Sequence, residues 1–246
     1  MTEGYIAFFD SGIGGLNLMA AFQRQYPRER CVYYGDNGNA PYGSKTEKEI
    51  AQLAERAFDR LTQYPIRAAA IACNTVTAEC IESLRKRYLF PIVGMEPAVR
   101  PAAGVMKGGR ILVLATPATL ASERVKRLLA RNGTDTKIAA VALDKLAGEV
   151  EKAAPDFERI RLAEHLPKGQ FDAVVLGCTH YIYLKKQIEA AYRCPVFDGI
   201  IGTVDHLAKV ANICLEKSSK IAKICPVFVG DSEKTNKTLY KTLFLI

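Results

Sequence analysis

Short apolar runs alternate with longer amphipathic stretches along most of this chain, and that alternation leaves few folds open. "YIAFF" (5–9), "AAAIA" (68–72), "ILVLA" (111–115) and "AVVLG" (173–177) read as buried central strands. "CVYYG" (31–35) and "IVGM" (92–95) are further strand candidates. The stretches 14–25, 46–62, 75–88, 119–132, 181–192 and 203–216 fit helices, and Thr46, three residues ahead of Glu49, matches a capping box. Strands that cross through helices to parallel neighbours make the chain α/β.

A repeated interval sharpens this reading. Asp10 closes one apolar run 63 residues before Cys73, and Thr116 closes another 62 residues before Cys178. Each half of the chain thus offers one strand end with an oxygen-bearing side chain and a later one with a thiol. Open parallel sheets bind ligands beyond the carboxyl ends of their strands. The expectation is two pseudo-symmetric α/β lobes with mainly parallel sheets, facing across a cleft that carries one cysteine on each wall. The Pro- and Gly-rich stretch "PAVRPAAGVMKGGR" (97–110) is the natural crossing point. The expected division is residues 1–96, with part of 205–246, as the first lobe and 97–204 as the second. The tail from about 217 has room for a short strand and a helix, and no chemistry is read from it.

Composition removes several function classes. Apolar residues are 49 % and charged ones 24 % of the 246, a balance suited to a globular enzyme. The seven cysteines are odd in number and include no C-x-x-C pair, which speaks against a disulfide framework, a zinc site or a thioredoxin-like motif. With only three histidines and no H-E-x-x-H, no metal site is expected. The amino terminus lacks the charge order of a secretory signal, and no run approaches the roughly 18 apolar residues of a membrane span. A cytoplasmic protein without a membrane partner is expected. The net charge of +8 is spread through helical segments and mixed with Glu, so nucleic acid is not an expected partner.

Four stretches stand out. "DSGIGG" (10–15) follows a strand and opens a helix, where glycines expose amide hydrogens that favour an anion, and Asp10 can take an amine or hold a base. It is not G-x-G-x-x-G, so no dinucleotide is indicated. "APYGSK" (40–45), taken alone, reads as a structural turn set by Pro41 and Gly43, whose Tyr42 can supply a hydroxyl. "IACNT" (71–75) and "LGCTH" (176–180) each place a thiol at a strand end before polar residues at an expected helix start, which lowers a thiol's pKa. Two thiols facing one another without a cofactor motif fit the removal of a proton from one face of a carbon and its return to the other. The competing chemistry is one nucleophilic cysteine beside a bystander. The symmetry of the halves favours the acid/base pair.

"FFDSGIGGL", "GDNGNAPYGSK", "IACNTVTA", "VGMEPAVRPA", "LATPATLASERV" and "LGCTHY" together resemble the glutamate racemases, in the family's order over roughly residues 5–205. The resemblance implies a cofactor-independent racemase that interconverts L- and D-glutamate to supply peptidoglycan synthesis, and so cell-wall biogenesis and cell shape, and that forms a homodimer. It maps the catalytic thiols onto Cys73 and Cys178, with Asp10 and His180 assisting them. It maps substrate contacts onto Asp10, Ser11, Tyr42, Gly43, Asn74, Thr75, Thr116, Thr119, Thr179 and His180, and a further acid onto Glu151 or the nearby Glu149. Asn74, Thr75 and Thr179 are expected on the α-carboxylate, Asp10 on the ammonium, and Ser11, Tyr42 and Gly43 on the distal carboxylate. Where family members often read "CTHYPLL", this chain has "CTHYIYL". The alternatives are an aspartate or other amino-acid racemase of the same superfamily, and a non-catalytic binding or regulatory protein on the same fold.

Overall fold

The computed structural model describes residues 4–214 and 224–244. Its strands form two parallel sheets, each flanked by helices. In the first half β1 (Tyr5–Asp10), α1 (Leu16–Gln25), β2 (Cys31–Gly35), α2 (Glu47–Leu61), β3 (Ile66–Ile71), α3 (Asn74–Arg87) and β4 (Ile92–Gly94) follow in turn. In the second come α4 (Val99–Val105), β5 (Arg110–Ala115), α5 (Pro117–Ala121), α6 (Glu123–Asn132), β6 (Lys137–Ala142), α7 (Leu146–Ala153), β7 (Ala173–Gly177), α8 (Lys185–Tyr192) and β8 (Val196–Phe197). α9 (Ile200–Val210), β9 (Val227–Val229) and α10 (Glu233–Phe244) complete the chain. The sheet orders are β4-β3-β1-β2-β9 and β6-β5-β7-β8. The tail strand β9 therefore returns to the first sheet, pairing in parallel with β2.

The period-two pattern of the strands explains the layering. Ile6 and Phe8 of β1 join Leu112 and Leu114 of β5 in one hydrophobic cluster that spans both sheets. Ala7 and Phe9 point the other way, onto Ile50, Ala54 and Phe58 of α2. Ile111 and Val113 likewise turn to Val99 and Ala102 of α4. With both faces of the central strands covered, continuous apolar runs are what the fold requires.

Several boundaries differ from the sequence reading for local reasons. The helix expected over 119–132 is two helices, because Ser122 is extended (φ −66°, ψ 141°) and its hydroxyl accepts the Val125 N–H to cap α6. The helix expected over 181–192 begins instead as a 3-10 segment, Thr179–Leu184. The helix expected over 203–216 spans Ile200–Val210, with 215–216 outside the described residues, and the crossing segment contains α4. Thr46 does form the capping box with Glu49 at the start of α2. No helix among the described residues is long and apolar enough to cross a membrane.

Candidate active site

The paired strands place the chemistry. β1 lies beside β3, and β5 beside β7, so Asp10 and Cys73 emerge from neighbouring strand ends, as do Thr116 and Cys178. All four side chains are buried.

Around Cys73 the sequence reading holds in part. α3 starts at Asn74, immediately after the thiol. Ser11 Oγ lies 3.3 Å from Cys73 Sγ. Burial nevertheless pushes this thiol up to about 11, with the Asp10 carboxylate adding to the rise, and Ser11 and the Val76 N–H only partly opposing it. The expected lowering by the helix start is thus outweighed by desolvation. A charge on Cys178 also raises it, so the two thiols share one electrostatic environment.

Around Cys178 the arrangement differs, since no α-helix begins there. The thiol lies 3.6 Å from His180 Nδ1. His180 Nε2 lies 2.6 Å from Glu151 Oε1, which also accepts the Ile13 N–H at 2.8 Å. Burial opposes charge on this imidazole, yet its bonds to Cys178 and Glu151 prevail and hold its pKa well above the usual histidine range. Of the two candidate acids the structure brings Glu151 into the site; Glu149 instead meets His165 at 2.9 Å.

Asp10 bridges the halves. Its Oδ1 accepts the Gly12 N–H at 3.0 Å and its Oδ2 the Thr179 hydroxyl at 3.1 Å. Burial lifts its pKa to about 6, against the opposing pull of His180. An acid whose folded pKa lies above its unfolded value of about 3.9 binds more protons when folded, so its contribution to stability falls as pH rises through the window from about 4 to 6. Asp10→Asn is therefore expected to gain up to about 3 kcal/mol at pH 7, and to flatten the pH dependence of urea unfolding in that window. An unchanged profile would show that this carboxylate is not strained by burial.

The remaining polar groups divide by what they have left to offer. Asn74 spends its Nδ2 on the Met95 carbonyl at 3.0 Å, while its buried Oδ1 has no partner. The amide therefore presents an acceptor, suited to an ammonium rather than to the α-carboxylate expected from the sequence. Thr75, Thr116 and Thr119 join their hydroxyls at 2.8–3.1 Å in a closed cluster. Tyr42 donates its hydroxyl to Asp36 Oδ2 at 2.6 Å, so that hydroxyl is already engaged. Gly43 lies so close to the second half that a Cβ there would sit 2.5 Å from Thr116 Cβ. Sequence reasoning misses Asp36 and Asn37, both in "GDNGNAPYG", whose bonds to Tyr42 and Glu151 leave no mark in the sequence.

Beside this centre lies a cleft of about 970 Å³, bordered by Ile13, Asn37, Pro41, Glu151 and Leu239. Neither thiol lines it; Glu151 stands between. The chemical content of the buried centre is two thiols with separate polar partners, the carboxylates of Asp10 and Glu151, the unspent acceptor Asn74 Oδ1 and hydroxyls already bonded to their neighbours.

A family profile described as Asp/Glu/Hydantoin racemase matches residues 16–207. The chain belongs to the Asp/Glu/hydantoin racemase family. Within it, the chain is 36 % identical to a glutamate racemase of Clostridium perfringens, over 98 % of this chain and 96 % of the relative. It is 39 % identical to one of Leptospira borgpetersenii serovar Hardjo-bovis, over 82 % and 80 % of the two chains. Among solved structures, the glutamate racemase of Campylobacter jejuni superposes with a TM-score of 0.79 at 27 % identity, covering 98 % of both chains. That of Escherichia coli, solved with L-glutamate and the activator UDP-MurNAc-Ala, superposes at 0.78 with 26 % identity, covering 95 % and 92 %. In this racemase-family chain the strand-end thiols of the sequence reading lie in one buried centre, and Asp10, Ser11, Thr179 and His180 surround them.

Proposed function

We propose that the protein is a glutamate racemase that needs no cofactor and works by two thiols, Cys73 and Cys178, acting from opposite faces of Cα. The observation that carries this reading is the provision of each buried thiol with its own polar partners, Ser11 for Cys73 and the His180–Glu151 pair for Cys178. A single nucleophile with a bystander would not need both sets.

The α-proton of an amino-acid carboxylate is very weakly acidic, so the base must be strong and the carbanion stabilised as it forms. A thiol held near 11 is a stronger base, once ionised, than a free thiol of about 8.5, at the cost of a small thiolate fraction. A bound ammonium between Asp10 and the open Asn74 Oδ1 raises that fraction by adding positive charge to a buried site. The first amides of α3 suit the α-carboxylate, and the Thr75 and Thr179 hydroxyls join them by giving up their present bonds to the Thr116–Thr119 cluster and to Asp10. Ser11, Tyr42 and Gly43 are assigned to the distal carboxylate, the last two through main-chain amides. Thr116 and Thr119 are assigned to the wall of the same pocket. Cys178 takes the proton of the L-isomer and Cys73 that of the D-isomer, and the thiols exchange protonation state with each turnover. Because both thiols are buried, substrate entry requires the halves to part and close again, which also excludes water.

The hinge of that movement is assigned to the boundary between residues 1–96, joined by part of 205–246, and residues 97–204. The D-glutamate formed would feed peptidoglycan synthesis in the cytoplasm, and the working unit would be a homodimer.

Incubation with L-glutamate in deuterated water tests the reading. Entry of deuterium at Cα, followed by NMR, is expected to accompany decay of the circular dichroism signal to zero. Turnover of L-aspartate but not glutamate would shift the substrate within the superfamily. Silence with every amino acid would overturn the catalytic reading.

A further inference from the structure

Glu151 is gripped on both carboxylate oxygens. Oε1 accepts the Ile13 N–H at 2.8 Å and lies 2.6 Å from His180 Nε2, while Oε2 accepts Asn37 Nδ2 at 3.2 Å. Asn37 opens the short 3-10 turn Asn37–Asn39 that follows β2. Chemistry fixes which way its amide faces, because the opposite orientation would set Oδ1 against a carboxylate. In the chosen orientation Asn37 Oδ1 is buried without a hydrogen-bond partner. An amide left half-satisfied carries a desolvation cost, which the bond to a charged acceptor offsets.

The large cleft explains why such a bond is needed. Glu151 and Asn37 both border it, and so does Lys152. A carboxylate fixed only at Oε1 can swing toward that open side, where solvent and an ammonium compete with His180 for it. Once Glu151 leaves, His180 loses the partner that orients its ring toward Cys178.

We propose that Asn37 is a positioning residue: it holds Glu151 against His180, and thereby keeps His180 aimed at Cys178, without touching the substrate. This rests on the two-thiol reading for its kinetic consequence but not for its geometry.

Two variants separate positioning from packing. Asn37→Asp keeps the shape and replaces the donor with a second negative charge, whereas Asn37→Ala removes both shape and donor. If Asn37 only fills space, the alanine variant is the more damaged. If it positions Glu151, the aspartate variant is the more damaged, with kcat lowered about 10- to 100-fold.

Isotope effects localise the defect. Slowing only the proton transfers at Cys178 makes removal of the α-deuteron from L-glutamate more rate-limiting, so the isotope effect on kcat/KM rises for L-glutamate. For D-glutamate deprotonation then precedes the slow step, and the isotope effect falls toward unity. Equal changes in both directions, or the packing order of the two variants, would overturn the proposal.

A readout free of turnover accompanies these. The rate of Cys178 alkylation by iodoacetamide, relative to that of Cys73 and resolved by peptide mass spectrometry, is expected to fall in Asn37→Asp. An unchanged ratio overturns the proposal even in an active enzyme. A fallen ratio in a protein that does not racemise glutamate would support the positioning role and reject the functional reading.

Discussion

Cys178→Ser is expected to lower the racemisation rate by about 10²- to 10⁴-fold while D-glutamate continues to exchange its α-proton with solvent. The serine hydroxyl occupies nearly the same volume as the thiol and can still hydrogen-bond with His180, so the fold and the substrate pocket are preserved. Its pKa is far too high for it to form the base that L-glutamate requires, and as an acid it delivers a proton poorly to the opposite face. Cys73 is untouched and still removes the proton of the D-isomer; after exchange with solvent it returns one to the same face. The signature is therefore deuterium wash-in on D-glutamate without loss of optical activity. Cys73→Ser is expected to give the mirror-image result, with wash-in on L-glutamate. A Cys178→Ser protein that racemises at the parent rate would eliminate the two-base scheme. Loss of exchange from both isomers would mean that the substitution had disrupted the pocket rather than removed one base.

Much of the fold was legible because the central strands are covered on both faces. Runs such as "ILVLA" and "AVVLG" have no polar interruption, and a strand so composed has few other places to go. The strands missed by the sequence reading lack that signature. β6, "KIAAVA", is an edge strand exposed along much of its length, and β8 is only two residues long. Neither buries enough apolar surface to leave a periodic trace. The break at Ser122 was hidden for another reason, since the polar residue that ends α5 is also the one that caps α6.

The candidate site was legible where function is carried by a side chain at a strand end. Cys73, Cys178, Asp10 and Thr116 follow from the nearly matching intervals, and their burial together is what two facing sheets produce. What remained hidden were relations that depend on three-dimensional accounting. No spacing reveals that Asn74 has spent its amide N–H on Met95, or that Tyr42 has spent its hydroxyl on Asp36. Nor could sequence separate Glu151 from Glu149, two residues apart on α7 and facing different histidines. The thiol pKa is the sharpest case. A helix start favours the thiolate, but full burial at Cys73 outweighs it, and the balance between these two effects is set by packing.

Gly12→Ala is expected to cost about as much activity as loss of a thiol while leaving the protein folded. A methyl group at Gly12 would sit 1.7 Å from Glu151 Oε1 and 3.0 Å from His180 Nε2, so Glu151 must move. Gly12 does not have a left-handed backbone, and alanine is therefore excluded by the neighbouring side chain rather than by its own torsions. The displaced carboxylate loses both the Ile13 amide and His180, and the Cys178 side of the mechanism loses its proton partner. Asp10 also depends on this position, through the bond from the Gly12 N–H to Oδ1, so the grip on the substrate ammonium shifts as well. The two effects should appear separately: a fall in kcat of about 10²-fold or more from the acid/base defect, and a rise in KM from the displaced Asp10. Pairing Gly12→Ala with Glu151→Ala removes the obstructing carboxylate. If the clash is the cause, the double variant should be no slower than Glu151→Ala alone, the non-additivity expected of residues in contact. Fully additive losses would place the harm of the methyl group elsewhere, on the main chain that carries Asp10 and Ser11.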